Sequence, residues 1–111
     1  TVLHDRNPLF VKLSDGKIRN GYSISILNKS HEDKNYKLDI EGIDDAEFWV
    51  QSNKDVSADD LQVFADSVGH FRMFIVAPAP KETREEIKIT LTEKSANIHD
   101  EKETIFVSSG K

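Results

Sequence analysis

Chemistry near neutral pH would fall first to the histidines, and this chain has four: His4, His31, His70 and His99. Neutral imidazoles suit zinc or copper, but a site needs three or four ligands converging in space. The metalloprotease spacing is absent, because His31-Glu32 is followed by Asp33 and Lys34 with no second histidine. His4, His31 and His99 stand beside acids in polar stretches, the usual setting of solvated surface. Met73 is the sole methionine and cysteine is absent, so copper(I) finds almost no soft donor. No metal ligand is assigned.

Other chemistries fare no better. Gly21-Tyr22-Ser23-Ile24-Ser25 begins like a nucleophile elbow, but Ser25 stands where the elbow needs glycine, and the residues continue an alternating strand. Five scattered glycines make no phosphate loop. The lack of cysteine removes disulfides, thiolate metal sites, iron–sulfur ligation and a thiol nucleophile from this chain. Asn28-Lys29-Ser30 fits the N-glycosylation tripeptide, which has meaning only in a eukaryotic secretory setting. Trp49, between Phe48 and Val50, has the makings of a ligand-stacking surface. A large aromatic in such a run more often fills a core, and Trp49 is assigned there. No catalytic residue is assigned, and the chain is not read as an enzyme.

The elements that would position these residues are strands. The chain has 111 residues, enough for one domain with a real core, and residues 1–111 are read as a single unit. Net charge is −5 with acids and bases interleaved, unlike the clustered basic footprint of a nucleic-acid binder. No apolar run approaches the about 20 residues that a membrane helix needs. The chain does not begin with Met, and it is expected to be a mature or excised soluble domain. Period-2 alternation dominates: Tyr22, Ile24 and Ile26; Tyr36, Leu38 and Ile40; Ile87, Ile89 and Leu91. Further strands are expected at Leu9–Leu13, Phe48–Gln51, Leu61–Phe64, Phe71–Ala77 and Thr104–Val107. Turn dipeptides fall at Asp15-Gly16 and Asn20-Gly21, Glu41-Gly42 ends a strand, Gly69 precedes one, and Pro78 and Pro80 stop one. Helix-start signals at Ser57–Asp60 and Thr83–Glu86 allow at most one turn each. Seven or eight antiparallel strands at this spacing suggest a sandwich. Its inner faces should hold Phe10, Tyr22, Ile24, Ile26, Leu38, Ile40, Trp49, Val63, Phe71, Met73, Ile75, Ile89, Leu91 and Phe106.

The polar opening is harder to assign. Asp5-Arg6-Asn7-Pro8 reads as a lead-in turn, since Asp and Asn satisfy nearby amides and proline fixes φ. Turns account for Asp15, Gly16 and Gly21. Turn geometry asks for neither Arg6 nor Arg19, and these are assigned to docking. Asp5, Arg6, Asn7, Arg19 and Asn20 are therefore the candidate interaction residues.

The same stretch, LHDRNPLFVKLSDGKIRNGYSISILNKSHE, resembles the start of the C-terminal domain of the FixG/CcoG family of bacterial accessory proteins for the high-affinity cytochrome oxidase. LQVFADSVGHFRMFIVAPAP is similar to a later strand pair of that domain. The string carried over is Asp5, Arg6, Asn7, Pro8, Asp15, Gly16, Arg19, Asn20, Gly21, Asn28 and Lys29. The resemblance implies an immunoglobulin-like sandwich after the last transmembrane helix, on the periplasmic side of the inner membrane, with residues 1–8 leading off that helix. It also implies that iron–sulfur redox chemistry, described as copper reduction for oxidase assembly, belongs to an upstream cysteine-bearing region. No cofactor is expected in this chain. The function it implies is a non-catalytic interaction or scaffolding module that meets protein partners in oxidase assembly and the parent's membrane region. The alternative is a domain whose histidines hold copper for the parent's reductase.

Overall fold

The computed structural model describes residues 2–6, 9–52, 55–78, 83–95 and 98–108, with backbone only at positions 55 and 98. It is an all-β sandwich of two antiparallel sheets, with no helix among the described residues. The strands are β1 (Val2–His4), β2 (Val11–Lys12), β3 (Ile18–Asn28), β4 (Lys34–Glu41), β5 (Glu47–Gln51), β6 (Asp55–Val56), β7 (Leu61–Val63), β8 (Ser67–Ala77), β9 (Arg84–Glu93) and β10 (Ile98–Val107). One sheet runs β1-β3-β8-β5-β6, with β2 beside β1 on the edge of β3. The other runs β10-β9-β4-β7.

Alternation builds the core. On β3 the even-numbered residues from Ile18 to Asn28 are buried, and on β8 the odd-numbered ones from Phe71 to Ala77. The second sheet answers with Tyr36, Leu38, Leu61, Val63, Ile87, Ile89 and Phe106. Burying side chains of this size contributes about 1.5–3 kcal/mol each. Phe10, Ile40 and Leu91, expected inside, are half-buried against this cluster. Ile18, Val50, Leu61 and Ile87 lie inside although the pattern had not marked them as core.

Several local expectations change. The short edge strands β1 and β6 raise the strand count to ten among the described residues, and the strand expected at Leu9–Leu13 is cut to β2, Val11–Lys12. Asn20-Gly21 is not a turn but lies within β3, because Asn20 is an inward position of the alternation. Gly69 lies within β8. Ser57–Asp60 closes a tight turn, Asp60 N–H donating to the Ser57 carbonyl, and Leu61 pairs at once with Tyr36. Thr83–Glu86 runs into β9. Pairing partners thus override both helix-start signals. The Asp15-Gly16 turn forms as expected, with Gly16 at φ 87° and the Lys17 amide on Asp15 Oδ1. Trp49 is not in the core: it is 38% exposed and faces outward.

Asn28 closes the far end of β3. Its buried Nδ2 donates to the carbonyls of Glu32, Val63 and Phe64, and its Oδ1 accepts from Ser30 N–H and Oγ. The glycosylation tripeptide is therefore an internal brace whose amide nitrogen is already engaged.

Candidate functional site

The outward residues of the β3-β8-β5 sheet lie in rows set by register: Arg19, Val76 and Glu47; Gly21, Phe74 and Trp49; Ser23, Arg72 and Gln51. At the centre, the Phe74 ring stacks with Trp49 at 5.6 Å between centroids and 28° between planes. The guanidinium carbons of Arg72 and Arg19 lie 5.2 and 5.5 Å from the same centroid, within cation–π reach. Two cations and two aromatics thus form one continuous platform.

Arg72 is held in place from the opening segment. Its Nη1 donates to Asp5 Oδ1 at 2.7 Å and to Ser23 Oγ at 2.9 Å, and its Nη2 donates to Asp5 Oδ2 at 2.5 Å. This is a bidentate fork, the strongest common carboxylate geometry. The Arg72 hydrogen bond holds the Asp5 carboxyl below the usual carboxylate range; partial burial opposes this, and the Arg72 and His4 charges assist it. Asp5 in turn raises the Arg72 guanidinium. The pair needs Gly21 beneath it, because a Cβ there would stand 2.5 Å from Asp5 Oδ2 and 3.0 Å from Arg72 Nη2.

The candidate interaction residues separate. Asp5 is on the platform, paired with Arg72 and not with Arg6 or another sequence neighbour. Arg19 is on the platform too; it makes the ring contact but no hydrogen bond or ion pair among the described residues, whereas Asp15 serves the Lys17 amide. Arg6 is exposed and likewise unpaired among them. Asn7 lies outside the described residues. Asn20 is corrected outright. It is 0% exposed, and its Nδ2 donates to the Val107 carbonyl at 2.9 Å while its Oδ1 accepts the Val107 amide at 2.8 Å. The same oxygen lies 2.6 Å from His4 Nε2, which sets the Nε2–H tautomer. Tyr22 adds a second tie, its hydroxyl donating to the Ile105 carbonyl at 2.7 Å. Both clamp β3 to β10 across the sandwich, so Asn20 offers nothing to a partner.

Arg72, Phe74 and Trp49 were missed as platform residues. Arg72 and Phe74 fall out of phase with Phe71, Met73 and Ile75, which marks them as outward. Trp49 shares parity with Glu47 and Gln51, a signal masked by its apolar neighbours Phe48 and Val50.

The histidines do not assemble. His4 meets Asn20, His31 meets Asp66, His70 meets Ser25 and His99 meets Thr92. No group of three His, Asp or Glu side chains converges among the described residues.

Two facing antiparallel sheets with this platform on one outer face define an immunoglobulin-like sandwich domain. A family model described as "IG-like fold at C-terminal of FixG, putative oxidoreductase" matches residues 1–109, and the chain belongs to that family. It is 35% identical over 101 residues to the nitrogen fixation protein FixG of Rhizobium meliloti, covering 89% of this chain and 19% of that protein. It is 37% identical over 73 residues to RdxA of Cereibacter sphaeroides, covering 66% of this chain and 15% of that protein. The crystal structure of a FixG-related protein from Vibrio parahaemolyticus superposes with a TM-score of 0.82 at 25% identity, covering 98% of this chain and 94% of that one. The chain therefore spans about a fifth or less of the curated relatives it matches.

Proposed function

We propose that this domain is a non-catalytic docking module of a FixG-like membrane protein. It stands on the periplasmic side of the bacterial inner membrane and meets protein partners during assembly of the high-affinity cytochrome oxidase. The supporting observation is the platform: an exposed Trp49 stacked on Phe74, beside an Arg19 guanidinium with no hydrogen-bonding partner among the described residues. Tryptophan and arginine are the residue types that most often dominate binding energy at interfaces. Copper handling by the parent belongs to the same proposal, as the chemistry of another region. The chain has no cysteine, so it offers no thiolate to an iron–sulfur cluster. The histidine-copper alternative gains no support from four imidazoles with four different partners.

The test pairs Trp49→Ala and Arg19→Ala in the full-length protein with oxidase assembly in the same strain. The domain's denaturation midpoint is measured beside it. Docking predicts impaired assembly with stability changed by less than about 1 kcal/mol. Normal assembly by both variants removes the reading.

A further inference from the structure

Strand β3 of the first sheet, 11 residues long, has one edge only partly covered. β8 pairs its whole length on one side. On the other side β2 takes Ile18 and Arg19, and β1 takes Tyr22 to Ile24. The Asp5 amide donates to the Gly21 carbonyl at 2.9 Å, which fixes the phase: odd-numbered residues of β3 aim their N–H and C=O at this edge. Leu27 therefore presents both backbone groups on this side, beyond the end of β1, where no described strand pairs with them. Its side chain is also outward, and the residue is 57% exposed.

Beside this edge, between the sheets, lies a cleft of about 620 Å³ lined by Val2, Ile24, Ile26, Leu38, Ile89 and Leu91. Its charged groups, Glu93, Asp100 and Lys102, come from β9 and β10. An apolar trough beneath an open strand edge fits an extended segment, with its backbone on the edge and alternate side chains pointing down.

Two facts choose the occupant. β1 runs antiparallel to β3 with Val2 opposite Ile24, so a backward extension of β1 heads toward Leu27. The family's fold is described at the C-terminal of FixG, and the chain spans 19% of that relative, so the rest of a full-length member precedes this domain. We propose that the residues preceding Val2 in the full-length protein extend β1 along β3 and close the cleft. The residue two before Val2 stands opposite Ile26, points into the cleft and is apolar. The residue three before Val2 stands opposite Leu27 and exchanges N–H···O=C bonds with it. Such a segment is tethered and already in register, so little association entropy is lost on pairing. The inference rests on the family's domain order and is independent of the docking platform.

The test follows the Leu27 amide by hydrogen exchange in the full-length protein and in the Thr1–Lys111 chain. We expect exchange about a hundredfold slower in the full-length protein. Replacing the residue two before Val2 by Asp should return it to the rate of the short chain. Leu27→Pro removes the donor to the carbonyl of the residue three before Val2, so it should weaken this pairing and speed exchange along the preceding segment while sparing the β3–β8 ladder, since the Leu27 N–H does not face β8. Equal Leu27 rates in the two proteins overturn the proposal. So does a charged residue two positions before Val2, or protection that rises with concentration in the short chain, which would make a second copy the occupant.

Discussion

Asn20→Ala should destabilise this domain more than any change on its outer face. The side chain is 0% exposed, and it satisfies both the N–H and the C=O of Val107, itself 9% exposed. Alanine leaves two buried backbone groups and the His4 Nε2–H without that partner. Each unsatisfied buried group costs about 1–3 kcal/mol. Partial solvation of the half-buried His4 makes its share small, so the two backbone groups set the loss at about 2–6 kcal/mol. At about 4 °C per kcal/mol for a domain of this length, the melting temperature should fall by about 8–24 °C. Urea unfolding followed by circular dichroism measures the first quantity, and hydrogen exchange at the Val107 amide locates it. Asn20→Asp is the sharper variant. It keeps an acceptor, loses the donor to the Val107 carbonyl and places an ionisable group in a buried site, which raises its folded pKa. Its stability should therefore decline as pH rises from 4 to 7, where wild type gains or holds. A loss below about 0.5 kcal/mol for Asn20→Ala, the range of ordinary surface changes, would refute the clamp.

The platform and core give four further expectations. A double-mutant cycle on Asp5→Asn and Arg72→Met should show coupling of about 0.5–1 kcal/mol, kept small by the 40% exposure of the Arg72 side chain. Because the Asp5 folded pKa is depressed, that contribution is present above its unfolded value of about 3.9 and lost as pH falls through the folded one; an acid titration of stability checks this. Gly21→Ala should displace the Asp5–Arg72 pair, and combined with Asp5→Ala it should cost less than the sum of the two, which thermal melts will show. Trp49 fluorescence should be quenched by acrylamide in the native state, and Trp49→Ala should cost far less stability than a core Phe106→Ala. Burial raises the Tyr22 hydroxyl, so its contribution is whole below the unfolded tyrosine pKa of about 10 and lost as pH rises above it; Tyr22→Phe should flatten this alkaline loss in denaturation midpoints.

The sandwich was legible because it rests on alternation. Tyr22, Ile24 and Ile26 announce β3, and the buried face extends that phase without a break to Ile18 and Asn28. Legibility failed where polar residues kept the phase. Asn20 occupies an inward position of the same series, but its amide and the following glycine read as a turn. Its reason for being inside is Val107, 87 positions away, and local sequence does not show that pairing. Asp5 and Arg72 are 67 positions apart and meet only because β1 and β8 flank β3. Trp49 failed for the opposite reason, since Phe48 and Val50 hid the polar parity of Glu47 and Gln51. The edges β1 and β6 have three and two residues, too few for any period to register.

The string that carries the family resemblance can now be divided by what each residue touches. Asn20 and Asn28 are buried amide braces at either end of β3, Gly21 makes room for an ion pair, and Asp15 and Gly16 shape a turn. Asp5 anchors Arg72, a residue outside the string. Of the described members, Arg6, Arg19 and Lys29 alone lack such an internal bond, and only Arg19 sits on the platform. A motif made mostly of internal braces specifies how the domain is built and how its opening segment is fastened to the sheet. Partner choice on the docking reading then falls to Trp49, Phe74 and Arg19, only one of which belongs to the string. Substituting the string should therefore impair the domain through stability, whereas substituting Trp49 should impair assembly with the domain intact. A Trp49→Ala protein that unfolds as readily as Asn20→Ala would contradict that division.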